Sequence, residues 1–183
     1  MERVGHFISI CKSVKVEAVP AVFVRTARLE DVSDVASMVV EGGRLHVELD
    51  SDRYRAANPE QISELLASQI TSGSDLEKGV VLVATYGNAV VGTASITLRH
   101  APRKVTRKRE DVLHIAWLWV VPTARRLGIA QALLDDIEAR ARAAQVPRVE
   151  CDIVFNNTAS RTLFDDRGYK KKSVVYSSNT LEM

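Results

Sequence analysis

The chain has 183 residues, 46% of them hydrophobic and 26% charged, with a formal net charge of +2. That composition fits one globular domain of roughly 100–200 residues and excludes a disordered, collagenous or low-complexity chain. The small basic excess argues against a protein that binds nucleic acid over its whole surface. The two cysteines, Cys11 and Cys151, lie far apart and support neither a disulfide framework nor a cysteine zinc site, so no metal is expected.

Phe7–Ile10 is too short for the apolar core of a signal sequence. No run reaches the ~18 apolar residues of a membrane span. A cytoplasmic location with no membrane partner is expected, with residues 1–20 as an extension and 21–183 as the domain. Ala21–Ala27 reads as a strand. Val32, Val35, Ala36 and Val39 follow the i, i+3, i+4, i+7 spacing of an amphipathic helix, which the Gly42–Gly43 pair is expected to stop. Arg44–Ala57 reads as a loop or broken helix. Asn58-Pro59-Glu60-Gln61 is a cap with proline at the first helical position, opening a second helix that buries Ile62, Leu65, Leu66 and Ile70.

Gly79–Tyr86 and Ala89–Arg99 are β-branched runs joined by Gly87-Asn88, a hairpin signal. A basic stretch follows, Arg103-Lys104-Val105-Thr106-Arg107-Lys108-Arg109, which reads first as a solvated loop because no aromatics interleave it. Val112–Val121 is a strong strand ended by Pro122. A helix spans Gly128–Gln145, a strand Arg148–Val154, a helix capped by Asn157 runs to Gly168, and strand-like Tyr169–Tyr176 leads to the tail. The strand–helix–strand unit requires Val112–Val121 and Arg148–Val154 to run parallel within an otherwise antiparallel sheet.

Chemistry concentrates in the turn Val121-Pro122-Thr123-Ala124-Arg125-Arg126-Leu127-Gly128-Ile129-Ala130. The amides of about Arg126 to Ala130 are expected to form a helix's first turn, where N–H groups lack intrahelical partners and the dipole favours an anion. Gly128 and Ala130 permit close approach, and Arg125 and Arg126 add charge, which suits a phosphate or pyrophosphate. The turn is not a Walker A loop, since no Gly-Lys-Ser/Thr occurs, and it lacks the triple glycine of a dinucleotide fold.

This segment resembles the acyl-CoA-binding motif of the GCN5-related N-acetyltransferases, whose Arg/Gln-x-x-Gly-x-Gly/Ala pattern is met by Arg125, Gly128 and Ala130. Asn157-x-x-Ser160-x-x-Leu163-Phe164-x-x-x-Gly168-Tyr169 is similar to the family's second motif. The resemblance implies an α/β (α+β) three-layer fold. Its central sheet would be mixed and mostly antiparallel, with one splayed parallel pair and helices on both faces. It implies acetyl-CoA as co-substrate, with the backbone of Trp119, Val120 and Val121 along the pantetheine. Arg125, Arg126, Leu127, Gly128, Ile129 and Ala130 would hold the pyrophosphate, and Asn157 and Ser160 would lie beside the cofactor.

Two positions depart from the family pattern. Phe164 stands where a tyrosine often protonates the leaving thiolate, which leaves Tyr169 and Tyr176 as candidate donors. Ala116 stands where a glutamate base is frequent. His114 is expected on the same strand face by period-two alternation and is a candidate base; the plainer reading is a packed strand histidine. Glu48 and Asp50 are candidates to attract a cationic acceptor. The implied activity is transfer of acetyl to an amine by direct attack in a ternary complex. The acceptor would be a small molecule or a peptide, and a homodimer is compatible. Nucleic acid is not an expected partner. A CoA-binding module without catalysis is the competing reading.

Overall fold

The structure is a computed structural model that describes residues 21–100 and 110–173. Its β-branched runs pair into one sheet of five strands: β1 (Val22–Thr26), β2 (Val80–Tyr86), β3 (Ala89–Arg99), β4 (Val112–Val120) and β5 (Arg148–Cys151). They lie in sequence order. The first three junctions are antiparallel and β4–β5 is parallel, because helix α3 (Ile129–Ala143) carries the chain back to the starting edge between them. The remaining helices are α1 (Val32–Leu49), α2 (Pro59–Thr71) and α4 (Thr158–Asp166).

Alternation along the strands divides the core into two layers. Val80, Leu82, Leu113 and Ile115 pack with Leu133, Leu134 and Ile137 of α3 and with Phe164. Val81 and Val83 pack with Val35 of α1 and Leu66 and Ile70 of α2 on the other face. Helices therefore cover both faces, the three-layer arrangement that the sequence motifs imply. Leu133, Leu134 and Ile137 are fully buried, each burial contributing about 1.5–3 kcal/mol, and they fix the start of α3 against the end of β4. Asp31, 3% exposed, ties the end of β1 to the start of α1. It accepts a bidentate pair of bonds from Arg25 at 2.6 and 2.8 Å and the Arg28 N–H at 2.7 Å.

Three expectations fail for tertiary reasons. Helix α1 does not stop at Gly42–Gly43 but runs on to Leu49. A Cβ at Gly42 would stand 3.2 Å from Cε3 of Trp119, so the glycine admits a ring, and packing outweighs the ~1 kcal/mol propensity cost. Strand β5 ends at Cys151 rather than Val154. Finally, β4 carries a bulge: Trp117 pairs with Ser95 and Ile115 with Ile96, so Ala116 is an inserted residue. The insertion reverses alternation. Leu113, Ile115, Leu118 and Val120 all face the α3 layer, while Trp117 packs in the α1–α2 layer and Trp119 lies against Gly42. His114, between Leu113 and Ile115, thus shares a face with the two tryptophans and not with exposed Ala116.

Tyr169–Ser173 forms no strand. The expected extension at residues 1–20, the basic run at 103–109 and Tyr176 lie outside the described residues.

Candidate functional site

Strands β4 and β5 pair only from Val112↔Arg148 to Ile115↔Cys151. Beyond that the chain leaves β5 for α4, whereas β4 continues against β3 as far as Gly92↔Val120. The outer edge of β4 from Ala116 to Val120 therefore has no strand partner among the described residues. The Val121 N–H donates to the Val91 carbonyl at 2.9 Å. Alternation then turns the Val120 amide the other way, toward the open edge. The Val120 carbonyl accepts from Nε of Arg125 at 3.3 Å. Of the backbone groups expected along the pantetheine, the Val121 amide is already used.

The turn after β4 differs in detail from its sequence reading. Helix α3 begins at Ile129, not Arg126, with Gly128 as its N-cap at φ +80. Arg126 is also left-handed, at φ +67. Left-handed residues before a helix turn amides toward one concavity, a shape that holds anions. The first helical bond runs from the Ala132 N–H to the Gly128 carbonyl at 2.9 Å, so the amides of Ile129, Ala130 and Gln131 have no intrahelical acceptor. A Cβ at Gly128 would meet nothing within 4 Å. Its glycine answers the backbone angle and leaves the approach clear. Arg126 and Leu127 are exposed beside it. The Arg125 guanidinium sits over the Trp119 ring, 5.0 Å from its centroid.

A groove of about 400 Å³ lies between α3 and α4, lined by Gln131, Leu163, Asp166 and Arg167. It begins where α3 begins. Asn157 caps α4 through the Ser160 N–H at 3.1 Å, so the Asn157 and Ser160 pair expected beside a cofactor is also a helix cap.

His114 is 6% exposed. Its Nε2 lies 3.2 Å from the Asp152 carboxylate, immediately past the end of β5. Burial pulls its pKa below the usual histidine value, and Asp152 opposes that fall. Phe164 is buried and packs edge-on to Tyr169, ring centroids 5.0 Å apart. The Tyr169 hydroxyl donates to Glu138 at 3.2 Å, and burial raises its pKa. As a proton donor to a thiolate, Tyr169 would first have to surrender that bond. Glu48 and Asp50 lie at the C-terminal end of α1, not in a separate loop. Between them the Leu49 carbonyl accepts from Nδ2 of Asn156 at 3.3 Å, which brings the end of α1 to the β5–α4 connection. Burial pushes the Cys151 thiol up to about 11.

Sequence reading missed Asp152, Asn156 and Gly42. Asp152 carried no signal, because the expected strand ran through it to Val154; the structure places it just beyond the carboxyl end of a parallel strand, where ligand sites gather in open α/β sheets. Among the described residues no group of three or more His, Cys, Asp or Glu side chains could hold a metal ion. No helix there is long and apolar enough to cross a membrane.

Residues 46–169 match the sequence model of the acetyltransferase (GNAT) family. A search of curated proteins finds no match. Solved structures share the fold. A point mutant of the BH1408 protein from Bacillus halodurans superposes at TM-score 0.73 with 21% identity, over 86% of this chain and 98% of that one. A predicted acetyltransferase with acetyl-CoA from Clostridium acetobutylicum gives 0.65 and 18%, over 89% and 99%. Glucosamine-6-phosphate N-acetyltransferase from Arabidopsis thaliana gives 0.61 and 14%, over 87% and 99%.

Proposed function

The chain belongs to the acetyltransferase (GNAT) family, and we propose that it transfers acetyl from acetyl-CoA to an amine bound beside the thioester, within one domain spanning residues 21–183. The observation that carries this reading is the parted β4–β5 pair leading into an anion-shaped turn, Arg126–Gly128, at the start of α3. The pyrophosphate would take the free amides of Ile129, Ala130 and Gln131 with Arg126 beside them, and the pantetheine would follow the open edge of β4 at Trp119 and Val120. The groove beside α4 would carry the remainder past Leu163 and Ser160.

In the proposed step the amine nitrogen bonds to the thioester carbonyl carbon, the C–S bond breaks, and the CoA thiolate leaves. The Val120 N–H, turned to the open edge, donates to the carbonyl oxygen as charge develops there. One such donor is worth about 10²–10³ in rate. His114 takes the proton that the amine loses. Its Nε2–H donates to Asp152, which leaves Nδ1 with the lone pair. A thiolate with pKa near 8.5 departs acceptably unaided, so Phe164 does not forbid turnover. Glu48, Asp50 and Asp152 draw a cationic amine toward the site.

One observation favours the competing reading, a CoA-binding module without catalysis. Neither Ala116 nor Phe164 has a titratable group. Calorimetry with CoA tests the site in both readings, and amine-dependent release of free thiol from acetyl-CoA separates them.

A further inference from the structure

Three buried side-chain nitrogens have no hydrogen-bond partner among the described residues: Nδ1 of His114, Nε1 of Trp117 and Nε1 of Trp119. All three belong to β4 and, because of the Ala116 bulge, to the same face. That face is roofed by α1, whose Gly42 lies on the Trp119 ring and whose His46 follows one turn later. Each buried polar group left unpaired costs about 1–3 kcal/mol, and native proteins satisfy most such groups. Three on one strand, next to the place where the strands part, describe a set of groups that a ligand completes.

The chemistry of the set names the ligand. An indole nitrogen can only donate. His114 donates through Nε2 to Asp152, so its Nδ1 accepts. The complement is one molecule with an N–H for His114 and an oxygen acceptor for the indoles. The acids at this end of the sheet, Asp152, Glu48 and Asp50, outnumber the cations beside the set, Arg99 near His114 and Arg125 over the Trp119 ring with its Nε on the Val120 carbonyl, and so disfavour an anionic oxygen. Trp117 stands three residues along the strand from His114, about 10 Å at most at ~3.3 Å per residue. Amine and oxygen therefore belong to one small molecule or to one end of a larger one.

We propose that the acceptor is an amine bearing a neutral carbonyl oxygen, as in an amino-acid amide or a peptide N-terminus, with the carbonyl held by the indole N–H groups and the amine by His114. This rests on the acyl-transfer reading above. Trp117 and Trp119 are half-buried, so the set lies near the surface at the margin of α1.

The test compares amino-acid amides with alkylamines of equal length, using the full chain and acetyl-CoA. The wild type is expected to prefer the amides by about tenfold or more in kcat/KM, the worth of one or more hydrogen bonds. Trp117→Phe keeps a ring and deletes the N–H, and it is expected to reduce that preference by about tenfold. The same ratio read by calorimetry on the CoA complex requires no turnover and decides the matter even for an inactive protein. Selective binding without thiol release would sustain the ligand assigned to these three nitrogens and overturn its role as an acetyl acceptor together with the acyl-transfer reading. Equal use or equal binding of the two amine classes by the wild type, or an unchanged preference in a folded Trp117→Phe variant, would overturn it.

Discussion

Gly42 and Gly43 are adjacent in α1, yet the structure predicts different outcomes for the same substitution. At Gly43 an added Cβ meets only the Ala57 Cβ at 3.7 Å, an ordinary contact. Gly43→Ala therefore gains helix propensity without a penalty, about 0.8–1 kcal/mol. At Gly42 the Cβ would stand 3.2 Å from Trp119 Cε3, with further ring atoms at 3.5 and 3.7 Å. The ring also carries Arg125, so it is not free to retreat. Overpacking of this kind costs about 1–3 kcal/mol, which offsets or exceeds the propensity gain. In a chain of this size 1 kcal/mol moves Tm by about 2–4 °C. Urea and thermal unfolding of both variants should show Gly43→Ala more stable than wild type by that amount and Gly42→Ala unchanged or less stable. Equal stabilisation by both would refute the contact between α1 and Trp119, and with it the roof over the three unpaired nitrogens. Destabilisation by Gly43→Ala would refute the continuation of the helix.

Four further outcomes are expected. Asp31→Asn should cost about 2–3 kcal/mol, because it weakens a charged bidentate pair at a buried carboxylate. Arg25 holds the Asp31 pKa below its ordinary value, so that stability is present above an unfolded-state pKa of about 3.9 and is lost as pH falls through the folded-state pKa; urea midpoints against pH should show the loss in the wild type and not in the variant. His114→Ala should lower kcat/KM by about 10²–10⁴ and abolish an acid limb lying below the usual histidine range, while Asp152→Asn, by removing the group that opposes the fall, should move that limb to still lower pH; an unchanged pH profile in both would return His114 to packing. Gly128→Val, at φ +80 on an open approach, should weaken CoA binding in calorimetry while circular dichroism stays native, and an unchanged Kd would remove the turn from the site. Tyr169→Phe loses the bond to Glu138 and should cost about 0.5–1.5 kcal/mol or somewhat more with turnover retained; a loss of about 10²–10⁴ in kcat would instead make its hydroxyl the thiolate's proton donor.

Features set by neighbours in sequence were legible. The alternating runs at Val80–Tyr86 and Ala89–Arg99 paired as their Gly87-Asn88 turn required, and Asn58 and Asn157 cap the helices they precede. The glycine at 128 marked the start of a helix because its local backbone demands a left-handed angle. Features set by distant contacts were not. Nothing near Gly42 announces that a tryptophan 77 positions later fills its place. The bulge at Ala116 arises from pairing with β3, and it moved His114 from Ala116's face to that of Trp117 and Trp119. His114 meets Asp152 only because β4 and β5 run parallel and then part. The use of the Val121 amide likewise depends on where β3 begins.

Release of free CoA thiol from acetyl-CoA by the full chain, followed across amines, amino-acid amides and peptides, tests the central claim most directly. The expected result is release that depends on both protein and amine, with one N-acetylated product per thiol by mass spectrometry. Tight CoA binding with no amine in the panel raising release above the protein-free rate would contradict it.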